Sequence, residues 1–400
     1  MELLKSTVKD NVLNDMMLII DEKRNEILSA NKEDLDRFER DDQALYDRLV
    51  VNDQKIDGMI QAIKEVKDQD DPVNKEISNI TLDSGLNIIN KTDPFGTILI
   101  IYESRPDVTI EAAVLAFKAN NKILLKGGKE AKMSNKVLVD CWHEALKRNN
   151  LSTDWIEYLE MDRSETQAFL RNPTQKLDLI VPRGGERLIA FVKEHASCAV
   201  LISGRGNNFL YVSPNADWEK TVKVIINAKT DKISGCNALD KVFIDEKFPQ
   251  LEHRLTELYQ ALGKLGVDIH VDENVSNLIN KGTKVSGEDI WYEEFLAMKI
   301  LIATIGGKDE AITKINTYSG KHSVVIMTED EDEAIDFMQR IDAAAVYQNA
   351  SSRFTDGGQM GVGAELAIST DKLHHRGPLG LKQLVTNKYY VFGDGHVRTA

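Results

Sequence analysis

The sequence predicts an α/β protein built on two parallel sheets. Three observations carry that reading. First, short apolar runs such as Thr97–Tyr102 (TILIIY), Lys122–Lys126 (KILLK) and Leu177–Val181 (LDLIV) alternate with helical patterns. Continuous apolar runs suit strands buried on both faces, and the alternation suits βαβ units. Second, three consecutive strands stop at glycine turns, KGGKE, PRGGE and SGRGN. Open sheets of this kind bind ligands outside the carboxyl ends of their strands. Third, the same rhythm resumes from residue 229 onward.

The elements follow in chain order. Residues 1–70 read as helices, because Leu3, Val8, Val12 and Met16 recur at helical spacing, as do Ile56, Ile60 and Ile63. Asp70-Asp71-Pro72 ends that pattern. Ile80, Leu82, Leu86, Ile88 and Ile89 are β-prone around a turn at Gly85, and Asp93–Gly96 turns the chain into the strand 97–102. Helices are expected near 109–119, 130–148 and 186–194, and a strand at 199–202. In the second unit strands are expected at 242–244, 267–271, 300–303 and 323–327, with helices near 247–263, 309–316 and 331–340. Tyr389–Phe392 is a terminal strand, of a kind that often pairs outside its own domain.

A chain of 400 residues is too long for one simple core, so two or three domains are expected. A net charge of −14 argues against a general nucleic-acid binder, although it leaves room for one local basic cleft. No apolar run approaches the ~18 residues of a membrane span. The charged start MELLKSTVKDN lacks the apolar stretch of a secretory signal. The three cysteines, Cys141, Cys198 and Cys236, are odd in number and widely spaced, which fits neither a disulfide framework nor a zinc site and suits a reducing cytoplasm. No metal is expected; His374 and His375 are adjacent, and neighbours on one chain rarely share an ion.

The glycine turns match no standard dinucleotide or phosphate-loop fingerprint, so phosphate binding and plain turn chemistry both remain open on glycines alone. Lys126, ending a buried strand, and Glu130, one helical turn past Gly127, are placed to bracket a ribose and its phosphate. Cys236, in KISGCNAL, is the residue on which the functional reading turns: a buried filler or a nucleophile.

Four segments decide between them: IYESRPDVTIEAAVLAFKANNKILLKGGKEA (101–131), DLIVPRGGERLIAFV (178–192), NAKTDKISGCNALDKVFI (227–244) and VYQNASSRFTDGGQMGVGAELAISTDKLHHRGPLGL (346–381). Together they resemble the gamma-glutamyl phosphate reductases, also called glutamate-5-semialdehyde dehydrogenases, of the aldehyde dehydrogenase superfamily. The resemblance covers nearly the whole chain. It implies an aldehyde-dehydrogenase-like fold with two Rossmann-like domains and a small β oligomerisation element. The cofactor domain would span 1–228, lending a hairpin at 80–94 to the oligomerisation element. The catalytic domain would span 229–375, and 376–400 would return to the cofactor domain and end as the oligomerisation strand.

The same resemblance implies NADPH as cofactor, Cys236 as nucleophile and reduction of L-gamma-glutamyl 5-phosphate to the semialdehyde in proline biosynthesis. Ser104 would be a second oxyanion donor. Arg105, Asn349, Ser351 and Arg353 would hold the substrate's carboxylate and phosphate, where a bidentate guanidinium fork is the natural partner. Lys126, Gly127, Gly128, Glu130, Arg183, Gly184, Gly185 and Glu294 would hold the cofactor, with Glu294 on the nicotinamide ribose. A homo-oligomer, dimer or dimer of dimers, is implied, and a glutamate 5-kinase is the natural supplier of so labile a substrate. One departure stands out: the glutamate that activates water or thiol in the superfamily is replaced here by Ile202. Reducing an acyl phosphate needs no hydrolytic water, so this weighs against a rival aldehyde oxidation more than against reduction. It also keeps alive a second rival, a non-catalytic descendant of the fold.

Overall fold

The computed structural model describes residues 2–39 and 43–398. They form two compact units. The first comprises 1–202, 361–367 and 379–400, and the second 203–360 and 368–378.

In the first unit a five-stranded parallel sheet places Thr97–Tyr102 at its centre, between Lys122–Lys126 and Leu179–Arg183, with Ile156–Tyr158 and Ala199–Val200 at the edges. Ile98, Leu99, Ile100, Ile101 and Tyr102 are all buried, as a central strand covered on both faces requires. The helix Pro106–Lys118 is buried on nearly every side, and Phe117 packs its ring against Trp142 and Trp155. The amino-terminal helices Ser6–Glu22, Arg24–Asp36 and Asp53–Lys67 add their apolar stripes, including Val12, Met16, Ile56 and Ile63, to the same core.

The hairpin expected at 80–94 forms and begins earlier, with Glu76–Thr81 antiparallel to Asn87–Pro94. The turn needs Gly85, whose φ of 88° lies in the left-handed region. The terminal strand Val385–Phe392 pairs antiparallel with the hairpin's second strand, residue by residue from Val385 opposite Pro94 to Phe392 opposite Asn87. The resulting three-stranded sheet exposes Ile77, Ile80, Tyr389, Val391 and Phe392.

The second unit holds a seven-stranded sheet ordered Thr283–Lys284, Asp268–Val271, Lys299–Ile305, Leu239–Asp245, Asn208–Val212, Ser323–Met327, Ala345–Gln348, and every ladder in it is parallel. The passage between the units lies at 202/203, earlier than the expected 228/229. The cause is Asn208–Val212, a fully buried strand near the middle of this sheet, followed by the helix Trp218–Thr230. Its five residues follow directly on the SGRGN turn and carry no period of their own, so pattern reading passes over them.

Candidate active site

The Cys236 turn joins the helix Trp218–Thr230 to the strand Leu239–Asp245. Gly235 N–H donates to the Lys232 carbonyl at 3.1 Å and Ala238 N–H to the Gly235 carbonyl at 3.0 Å. These two bonds fold the chain back on itself with Cys236 exposed at the crest. Its neighbour Asn237 is buried and ties the turn to the segment 351–355: Nδ2 donates to the carbonyls of Thr355 (2.9 Å) and Arg353 (3.2 Å), and Ser352 Oγ donates to the Asn237 carbonyl at 2.7 Å. The other two cysteines differ in kind. Burial pushes the Cys141 thiol up to about 12 and Cys198 in the same direction, so neither is a ready thiolate near neutral pH.

Arg353 lies against this turn. A Cβ added at Gly235 would come 2.9 Å from its Nη1. Its Nε donates to Asp231 Oδ2 at 3.0 Å, which fixes the stem of the fork. Ser351 Oγ accepts the Arg353 N–H at 3.3 Å. Asn349 is placed differently. Its side chain accepts from Thr328 N–H (3.0 Å) and donates to Thr328 O (2.8 Å), closing the end of the strand Ser323–Met327.

Glu294 meets the cysteine turn through Gly206. Glu294 Oε1 accepts the Gly206 N–H at 2.8 Å, and a Cβ at Gly206 would stand 2.3 Å from the Cys236 carbonyl oxygen. Only glycine lets these two meet. Asn208 Nδ2 holds the same carbonyl at 2.8 Å and that of Ala238 at 2.7 Å. Asn207 and Asn208, both buried, escaped sequence reasoning; the only signal was two polar residues opening a strand behind a glycine turn.

In the first unit the carboxyl ends of the central strands border a cavity of about 660 Å³. Lys126, Gly127, Lys129, Lys132, Arg163 and Arg187 are among its lining residues. Burial pushes the Lys126 ammonium below its ordinary value, and its Nζ donates to the Gly127 carbonyl at 2.9 Å. Glu130 is turned elsewhere: its Oε1 accepts both the N–H (3.1 Å) and the hydroxyl (2.6 Å) of Ser104, which is fully buried with φ 36°. The lining includes Lys129 and not Glu130. Arg183 donates to the Leu366 carbonyl, while Gly184 and Gly185 lie exposed, Gly185 capping the helix Glu186–His195. Arg105 caps the helix Pro106–Lys118, half-buried, with no ion-pair partner among the described residues.

The profile of the aldehyde dehydrogenase family matches residues 20–290. Over 394 residues the chain is 41% identical to gamma-glutamyl phosphate reductase 2 of Bacillus licheniformis, covering 98% of this chain and 91% of that protein. The chain belongs to this family. It is also 42% identical to the gamma-glutamyl phosphate reductase of Thermotoga maritima, over 98% of this chain and 94% of that one. The crystal structure of a Thermotoga maritima gamma-glutamyl phosphate reductase superposes with a TM-score of 0.95 over 99% of this chain and 95% of that one. An acetylating aldehyde dehydrogenase of Geobacillus thermoglucosidasius, 17% identical with a TM-score of 0.68, shares the fold.

Proposed function

We propose that the chain reduces L-gamma-glutamyl 5-phosphate to L-glutamate 5-semialdehyde and phosphate with NADPH, through a thioester on Cys236, as a step of proline biosynthesis. The observation that carries this is an exposed cysteine on a turn held by buried asparagines, in a chain about 40% identical to reductases of that name. Cys236 Sγ attacks the acyl carbon, the C–O bond to phosphate breaks, and a thioester remains. The tetrahedral oxyanion takes the Cys236 backbone N–H, a donor of a kind worth roughly 3 kcal/mol. Ser104 is not assigned to the oxyanion, because it is fully buried and both its N–H and its hydroxyl serve Glu130. NADPH, when bound, would supply the hydride; Cys236 Sγ then leaves the former acyl carbon as thiolate and the semialdehyde is released.

The residues present suit that cofactor. The 660 Å³ cavity is sized for an adenosine half, and its cations Lys126, Lys129, Arg163 and Arg187 suit phosphates, while Lys132 is held by Glu160 at 2.6 Å. Gly127, Gly128, Arg183, Gly184 and Gly185 complete the glycine turns around that sheet end, and Glu294 is assigned to the nicotinamide ribose. Glu130 holds the Ser104 turn that follows the strand Thr97–Tyr102. Arg353 and Ser351 take the substrate's anionic groups, Asn349 shapes the strand end beside them, and Arg105 in the first unit is a separate candidate for an anion. A second copy of the chain covers the apolar residues that the three-stranded sheet exposes. No helix among the described residues is long and apolar enough to cross a membrane.

The deciding assay runs the reaction backwards. With glutamate semialdehyde, NADP⁺ reduction is expected to require inorganic phosphate; acid formation without phosphate would establish the rival aldehyde oxidation. Arg353→Lys keeps the charge and loses the fork. It is expected to raise KM for phosphate about tenfold or more, the worth of one charge-assisted hydrogen bond, with KM for NADP⁺ unchanged. Equal rises in both constants would remove Arg353 from the substrate site.

A further inference from the structure

The Glu294 segment rests on a buried group that the chemistry above leaves unused. Lys241 lies within the strand Leu239–Asp245 and is fully buried. An ammonium in a strand interior is costly unless its donors are satisfied. Here they are, by the 293–295 turn and by Asn207. Nζ donates to Asn207 Oδ1 at 2.5 Å and to the Glu293 carbonyl, and it stands 3.8 Å from the centre of the Phe295 ring. Two further groups grip the same turn: Asp240 Oδ2 accepts the Phe295 N–H at 3.4 Å, and Lys299 pairs with the Glu293 carboxylate at 3.5 Å.

Glu294, between those two residues, holds Gly206 N–H. Gly206 precedes Asn207, whose amide is engaged throughout: Nδ2 donates to the carbonyls of Trp291 (2.8 Å) and Tyr318 (2.7 Å) while Oδ1 takes Lys241. One amine thus fixes both sides of the Glu294–Gly206 contact. Leu296, which closes the turn, sits at φ 46°. A leucine is held in that left-handed conformation only where its surroundings over-determine it.

We propose that Lys241 is a positioning residue for the cofactor, its buried amine holding the 293–296 turn so that Glu294 meets the nicotinamide ribose. This rests on the assignment of Glu294 to that ribose. Charge adds a pH dependence. Burial pushes Lys241 down to about 7, with neighbouring Asp240 and Glu293 opposing the shift and Lys229 and Lys299 assisting it. Burial also pushes Asp240 up and Lys229 down, and these two pair at 3.1 Å. Below pH 7 the ammonium makes charge-assisted bonds to Glu293 O and Asn207 and a cation–π contact to Phe295; as pH rises through 7 the neutral amine holds all three more weakly. KM for the cofactor is therefore expected to rise with pH across that range.

The test is Lys241→Met in the full-length protein, assayed from pH 6 to 9 with glutamate semialdehyde, phosphate and NADP⁺. Expected are a roughly tenfold rise in KM for NADP⁺ at pH 6.5, a change in kcat of less than about threefold, and loss of the inflection near 7. Lys241→Arg, which keeps a charge that does not titrate here, is expected to recover part of the affinity with no inflection. A cofactor KM within twofold of the native value with the inflection retained would overturn the proposal. So would a parallel loss of kcat, both KM values and melting temperature, which marks a merely structural lysine. Glu294→Gln separates the two assignments: if it leaves KM for NADP⁺ unchanged, the reading of Glu294 fails and takes the proposal with it. If it raises that KM and Lys241→Met does not, the proposal fails alone.

Discussion

Cys236→Ala is expected to lower kcat by roughly 10⁴-fold or more while leaving the fold and cofactor binding in place. Removing the atom that carries the covalent intermediate removes the whole two-step route, and such losses reach about 10⁶ where nucleophile and base act as one unit. The side chain is exposed and packs into no core, so its loss leaves no cavity. The turn is held by Asn237 and Asn208, not by the sulfur, so Cys236→Ser should fold equally well and be nearly as inactive. Alkylation supplies an independent check. Iodoacetamide at pH 7.5 should modify Cys236 alone, because burial raises Cys141 to about 12 and raises Cys198 as well. Prior incubation with gamma-glutamyl phosphate should slow that labelling. Activity surviving intact in Cys236→Ala would make the thiol irrelevant and overturn the thioester route.

The strands 97–102, 122–126 and 323–327 are legible because parallel strands buried on both faces must be apolar throughout, and little else in a polar chain looks like that. The terminal strand is legible by its aromatic and β-branched residues, while its pairing with Asn87–Pro94, almost three hundred positions away, is legible only through the resemblance and not from the pattern of either segment. Asn208–Val212 is illegible because five residues behind a glycine turn have no period to read.

The site divides in the same manner. Cys236 and Arg353 are singled out by the resemblance of their segments, since residue type alone leaves a cysteine open between filler and nucleophile, and the structure sets Arg353 Nη1 against Gly235, the neighbour of Cys236. Glu130 shows the opposite case. Spacing from Lys126 suggests a ribose contact, but spacing cannot tell which side of a short 3₁₀ turn a carboxylate takes, and Ser104, 26 positions earlier, captures it. Lys241 reads as an ordinary charged residue beside Asp240. Only the fold reveals that it is buried and what it holds.

Lys129→Glu is expected to reverse the cofactor preference. Lys129 is exposed at the mouth of the cavity and makes no ion pair among the described residues, so its charge is available to a ligand. The 2′-phosphate is what distinguishes NADPH from NADH, and a phosphate monoester carries between one and two negative charges at neutral pH. Two unit charges about 4 Å apart near a protein surface interact by roughly 4 kcal/mol, and solvent exposure at this position reduces that to about 1–2 kcal/mol. Exchanging lysine for glutamate removes one such attraction and adds a repulsion of similar size. kcat/KM for NADPH should therefore fall roughly 100-fold. For NADH it should hold or rise, because a carboxylate there accepts hydrogen bonds from the two ribose hydroxyls that the phosphate would otherwise obstruct. Ionic strength gives the control. In the native enzyme KM for NADPH should rise between about 0.05 and 0.5 M salt as screening shortens to a few ångströms, whereas the variant should gain affinity over the same range. Equal losses for both cofactors would point to damage at the glycine turn, and no change for either would put the adenosine phosphate somewhere other than this cavity.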